Sequence, residues 1–328
     1  MRPLPLVPHP TKVSDMTSSI NRLLLATDFS EWARRAEDYA CSLASSWRVN
    51  LTVMTVLEFP PGLNPDYPVN QHYLTDRTRE ASGQLAEFKK RATSKGIIVA
   101  TRMATGLPSE EINAAAKAEE TDLIVVGTRG KSGLAHVLLG STAERVIRTA
   151  PCPVLAVHMV KDDALAECGG VTLNRILVPI DFSDCSLDAL EYAAIVARQA
   201  KASIELLHVL EPLSYGLDFT LGHAEERQQK RERLSKRLED LSAALSAAGI
   251  AVKSHLRGGV PADSILDDVR TLPGDLIVMG THGRRGLSHV MAGSVTEAVL
   301  RRTRCPVLTV RSPKFSPSHH RLVTMSAT

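Results

Sequence analysis

A chain of 328 residues with 44% hydrophobic content has apolar material for two domains, each burying its own core. Its charged residues nearly cancel to a net +3, too small an excess over this length to suggest a nucleic-acid-binding surface. The five cysteines, Cys41, Cys152, Cys168, Cys185 and Cys305, show no CxxC spacing and no adjoining histidine cluster, so they read as reduced thiols and not as disulfides or metal ligands. No run reaches the roughly 18 apolar residues that span a bilayer. Prolines interrupt the opening MRPLPLVPHP where a secretory leader would be continuous. The expected setting is therefore soluble and cytoplasmic, without a membrane partner.

Residues 1–19, rich in Pro and Ser, carry no periodic pattern and read as a flexible segment. From residue 20 to 158 short apolar runs alternate with helical stretches. Strands are predicted at 23–26, 51–56, 97–103, 123–126 and 154–157, and helices at 30–46, 73–94, 109–118 and 141–149. The proline-rich stretch 59–73 reads as a loop. The runs LIVV at 123–126 and LIVM at 276–279 are apolar at every position, as a parallel strand covered on both faces requires, so the class is α/β with a parallel sheet. Residues 159–173 include KDDALAECGG and suit a linker. A second domain then occupies 174–311, and 312–328 form a flexible tail.

The second domain is a copy of the first. An offset of 153 residues brings Asp28-Phe29-Ser30 onto Asp181-Phe182-Ser183, Gly106 onto Gly259 and Cys152-Pro153-Val154-Leu155 onto Cys305-Pro306-Val307-Leu308. A register this long is a duplicated domain, because solenoid units run about 20 to 50 residues. Near the end of this copy's long helix, predicted at 224–248, Leu234, Leu238, Leu241 and Leu245 form a core stripe, with RQQKRERLSKR filling a solvated face.

The segment GTRGKSGLAHVLLGST at 127–142 follows a buried strand and opens a helix, and GTHGRRGLSHVMAGSV at 280–295 is its partner. Both keep one frame: Gly127, Gly130, Gly140 and Ser141 in the first copy, Gly280, Gly283, Gly293 and Ser294 in the second. The glycines at the strand ends are expected to turn with positive φ and to let a ligand approach without a Cβ in the way. The helix that opens at each serine offers free N–H groups and a positive dipole end to a phosphate. Ser141, Thr142 and Ser294 add hydroxyls. Gly130-Lys131-Ser132 mimics the end of a Walker A motif, but Val125 stands where that motif needs its first glycine. Asp28 and Asp181 end the first strand of each copy. Ser30 and Ser183 are expected to cap the following helices, leaving each carboxylate available for a purine amine or a ribose hydroxyl. Helix capping and ligand-holding remain alternatives for the two aspartates.

The TDFS and IDFS strand ends, the two G-x2-G-x9-G-S loops and the two CPVL strands resemble the universal stress protein family in its tandem form. The resemblance implies two Rossmann-like domains, each a five-stranded parallel sheet in the order 3-2-1-4-5 with helices on both faces. It also implies ATP as ligand, with Mg2+ left open. Asp28 and Asp181 would hold the adenosine, with Val56 and Val209 against adenine. Gly127, Thr128, Arg129, Gly130, Gly140, Ser141 and Thr142 would hold ribose and phosphates in the first copy. Gly280, Thr281, His282, Gly283, Gly293, Ser294 and Val295 would do so in the second. The family pairs domains through the last strand, here 153–157 and 306–310, within one chain, and association of two chains is left open. No GxSxG, HExxH or Cys/His constellation supplies a catalyst. The expected function is nucleotide sensing in a stress response. The alternatives are an adenylyl-transferring or slowly ATP-hydrolysing enzyme, and an interaction scaffold whose loops stay empty.

Overall fold

In the computed structural model, which describes residues 19–58, 67–128, 139–159, 173–211, 223–271, 276–281 and 293–311, each half of the chain begins with a short strand covered on both faces. β1 (Arg22–Ala26) buries Leu23, Leu24 and Leu25 completely enough that at most 2% of any of them is exposed. A 3-10 turn (Glu31–Ala33) leads into α1 (Arg34–Trp47), followed by β2 (Asn50–Leu57), α2 (Pro68–Ser94), β3 (Val99–Thr105), α3 (Pro108–Ala118), β4 (Leu123–Gly127), α4 (Ser141–Thr149) and β5 (Val154–Val157). The second half repeats the order: β6 (Arg175–Pro179), α5 (Asp184–Ala200), β7 (Ser203–Leu210), α6 (His223–Ala247), β8 (Val252–Gly258), α7 (Pro261–Thr271), β9 (Leu276–Gly280), α8 (Ser294–Arg302) and β10 (Val307–Val310).

Each half is the expected parallel sheet, but the two halves are one sheet. The strand order is β3-β2-β1-β4-β5-β10-β9-β6-β7-β8. Only the central pair is antiparallel, with Leu308 opposite Leu155 and Thr309 opposite Val154. Joining β5 to β10 satisfies the backbone groups that either strand would otherwise present as an open edge. Because side chains alternate across a strand, the sheet carries two cores, and each runs through both halves. Leu25, Leu155, Leu308 and Ile176 share one face with Leu43 of α1, Phe88 of α2, Leu190 of α5 and Leu241 of α6. Leu24, Val154, Val307 and Leu177 share the other with Ile112, Val146, Ile265 and Val299 of α3, α4, α7 and α8. Polar ties cross between the halves as well. Tyr192 donates its hydroxyl to the Asp122 carbonyl at 2.8 Å, and the Gln199 amide exchanges two hydrogen bonds with the Ile20 backbone. Burial holds the Tyr192 phenol well above the usual tyrosine range.

Some boundaries differ from expectation. α2 starts at Pro68, inside the stretch read as a loop, because proline at the first helical position loses no hydrogen bond and already has a helical φ. The helix expected at Ser30 is a 3-10 turn before it becomes α1. β3 begins two residues late, after the left-handed turn at Gly96 and the exposed Ile98. The α6 leucine stripe is buried, as are Cys152 and Cys305 at the entries to β5 and β10.

Candidate functional site

The strand order reverses between β1 and β4, and the carboxyl ends of the strands beside such a switch point form a crevice. In the first domain that crevice is a cavity of about 380 Å³. Asp28 closes it at the end of β1, Val56 and Leu57 at the end of β2, and Gly127 and Thr128 at the end of β4. Its remaining wall at the sheet end is Gly140 with the first turn of α4, Ser141, Thr142 and Ala143. The backbone N–H groups of that turn precede any intrahelical partner, so they face the cavity as donors. The Gly140 N–H donates to the Thr128 carbonyl at 2.8 Å, which pins the helix start to the strand end. Arg129 and Gly130 lie outside the described residues, as do His282 and Gly283.

At the strand ends Gly127 and Gly280 do not turn with positive φ as expected. Gly140 and Gly293, at φ −61° and −49°, open α4 and α8 as expected, in a conformation ordinary for any residue. A Cβ on Gly280 would lie 2.8 Å from the Cys185 carbonyl oxygen and 2.9 Å from its carbon. This glycine is needed for close packing of α5 on β9. The left-handed residues are Phe29 and Phe182, at φ 55° and 62°, each directly after the strand-end aspartate. A bulky residue holds that conformation only where its surroundings over-determine it. Asp28 Oδ1 accepts the Ser30 N–H at 3.0 Å and Asp181 Oδ1 accepts the Ser183 N–H at 2.9 Å. The carboxylates are therefore engaged in turns through one oxygen and are not simply left available. Ser183 caps α5 by accepting from the Ser186 N–H, whereas Ser30 makes no cap hydrogen bond. The repeated Asp-Phe-Ser was the sequence signal for this loop.

Under the first loop, Thr27 donates its hydroxyl to Glu37 at 2.7 Å and accepts the Phe29 N–H at 2.9 Å. Burial pushes the Glu37 carboxyl up, against the Thr27 hydrogen bond and the Arg91 charge, which pull it down. Sequence reasoning also missed one wall of the cavity, the α2 face bearing Leu74, Arg77, Glu80 and Gln84. The available signal was helical spacing one turn ahead of the buried Ala81, Leu85 and Phe88.

The second domain holds Asp181, Val209, Gly280, Thr281, Gly293, Ser294 and Val295 on the corresponding elements. The Gly293 N–H donates to the Thr281 carbonyl at 2.6 Å, repeating the closure of the first site. Thr296 donates its hydroxyl to the Gly280 carbonyl at 2.7 Å. Elsewhere in this domain Glu205, His255 and Asp268 converge from β7, β8 and α7. One ring nitrogen of His255 lies 2.8 Å from Asp268 Oδ2 and the other 3.7 Å from Glu205 Oε1, while Arg257 is 2.7 Å from Asp268 Oδ1. The imidazole thus spans two carboxylates with opposite nitrogens, the geometry of a charge network tying three elements together. A single ion would need one nitrogen and both carboxylates to converge on it.

Fold and crevice define a doubly wound α/β protein in tandem form, with a helix N-terminus in the wall of the first-domain crevice. The universal stress protein family profile matches residues 19–158 and 172–311, and the chain belongs to that family. A universal stress protein of Methanocaldococcus jannaschii is 33% identical over 143 residues, covering 43% of this chain and 84% of its own length. One of Mycobacterium tuberculosis is 28% identical over 205 residues, 58% of this chain and 62% of the relative. Among solved structures, a universal stress protein from Archaeoglobus fulgidus matches 89% of this chain and 97% of its own at 26% identity, with a TM-score of 0.66. No described helix is long and apolar enough to cross a membrane.

Proposed function

We propose that this chain binds ATP in its strand-end crevices and acts as a nucleotide-sensing regulator in a stress response. The observation that carries the reading is the first-domain cavity, whose walls combine an acidic strand end, an apolar patch at Val56 and a helix N-terminus. That combination suits a nucleoside at one end and phosphate at the other. In this reading bound nucleotide is retained, and its occupancy biases conformation or partner choice. The protein works in the cytoplasm, and its ligand is an adenine nucleotide with or without Mg2+.

The test is isothermal titration of the purified chain with ATP, then of Val56→Phe and Asp28→Ala variants. Val56→Phe fills the cavity and is expected to weaken first-site binding by more than about tenfold, or 1.4 kcal/mol. Asp28→Ala is expected to weaken adenosine recognition while sparing inorganic triphosphate. Unchanged ATP affinity in both variants would refute the site. Steady release of ADP, abolished by either substitution, would favour an enzyme instead.

A further inference from the structure

We infer that the second crevice takes a more highly charged anion than the first, a nucleotide with a longer phosphate chain. This rests on the nucleotide-binding reading of both crevices. The 153-residue register, set by the sequence, holds in the packed helices, because buried Ala81, Leu85, Phe88 and Ala92 of α2 correspond to buried Leu234, Leu238, Leu241 and Leu245 of α6. The α2 residues that wall the first cavity therefore have fixed counterparts. Leu74, Arg77, Glu80 and Gln84 become Arg227, Lys230, Arg233 and Arg237.

One of these counterparts is placed directly at the second strand-end loop. The Arg237 guanidinium lies 4.0 Å over the ring of Phe182, the residue that follows Asp181. Among the described side chains, the charge on this wall changes from one balanced pair to three cations, Lys230, Arg233 and Arg237. In the first domain Arg77 is neutralised by Glu80 at 2.9 Å. At the same spacing the second domain sets Lys230 beside Arg233, a like-charge pair. Two acidic residues of α6 are engaged elsewhere: Glu232 accepts from Gln228 and Glu239 from Ser235. Hydroxyl donors change in the opposite sense. Val295 replaces Thr142, and the Thr296 hydroxyl is spent on the Gly280 carbonyl. The second crevice thus has more cationic side chains on one wall and fewer free hydroxyls on another, and the attraction of the cations grows with ligand charge.

The experiment measures binding of adenosine mono-, di-, tri- and tetraphosphate to the full chain in EDTA at two ionic strengths. Val209→Phe isolates the first crevice and Val56→Phe the second. From mono- to triphosphate, affinity is expected to rise about tenfold more in the second crevice than in the first, and to fall more steeply with salt. The combined variant Arg227→Leu, Lys230→Arg, Arg233→Glu, Arg237→Gln copies the first-domain residues onto the same frame, and is expected to erase that excess. It is also read in the otherwise unaltered chain, so that the result does not depend on either filled crevice folding. Equal steps in both crevices, or a combined variant that keeps the excess, would overturn this inference alone. No binding of any adenosine phosphate would overturn the nucleotide reading with it.

Discussion

In the first domain the strand-end loop rests on a hydrogen-bonded pair, Thr27 and buried Glu37. In the second the same two positions are Ile180 and Leu190, both buried, yet Asp181 still makes its turn and Phe182 still adopts positive φ. A second contrast runs the other way. The network of Glu205, His255 and Asp268 has Thr52, Arg102 and Ala115 at its first-domain counterparts. What both domains keep is backbone geometry: the Asp turn, the left-handed phenylalanine and the glycine-to-threonine closure. Buried charge can be added or removed around that frame, so it reflects local tuning more than a demand of the fold.

Three substitution experiments and one alkylation measurement sharpen this comparison. The largest effect is expected at the seam, which belongs to both domains. Leu308→Ala should cost about 2–5 kcal/mol, and thermal unfolding should remain one transition because each core continues through β5 and β10. Two separated transitions would show that the domains are energetically independent. Next, Asp268→Ala strands Arg257 and His255 beside a vacated position. Chemical denaturation should show a loss of roughly 2 kcal/mol, below the figure for fully buried pairs because Arg257 is about one-third exposed.

A smaller, pH-dependent effect is expected from Thr27→Ile with Glu37→Leu, which copies the second domain. Burial raises the Glu37 carboxyl above its unfolded value, so the folded state holds that proton more tightly. Its contribution is favourable at low pH and is lost as pH rises through the raised value. The double variant should therefore gain on the parent between acid and neutral pH, as urea midpoints would show, and an advantage that shrinks with rising pH would contradict the assignment. The smallest change concerns chemistry alone. Burial pushes the Cys41 thiol up to about 11. Its alkylation rate should rise about tenfold per pH unit from 8 to 10, and a plateau in that range would show a more acidic thiol.

The strand pairing between halves followed only from the family resemblance, whereas the sheet and the duplication were legible because they depend on runs of apolar residues, as at 123–126 and 276–279, and on a constant offset. The charge wall was not, since Arg77, Glu80 and Gln84 belong to a long exposed helix whose position over the crevice is a tertiary fact. The role of the glycines was misjudged for a related reason. Close approach of α5 to Gly280 depends on a helix nearly a hundred residues earlier in the chain, and no local pattern records it.

The most direct trial of the account is to count bound ATP by native mass spectrometry of the unaltered chain, Val56→Phe, Val209→Phe and the pair combined. One nucleotide per crevice is predicted, with one lost in each single variant and both in the combined one. ATP retained by the combined variant, or absent from the unaltered chain at saturating concentration, would contradict it.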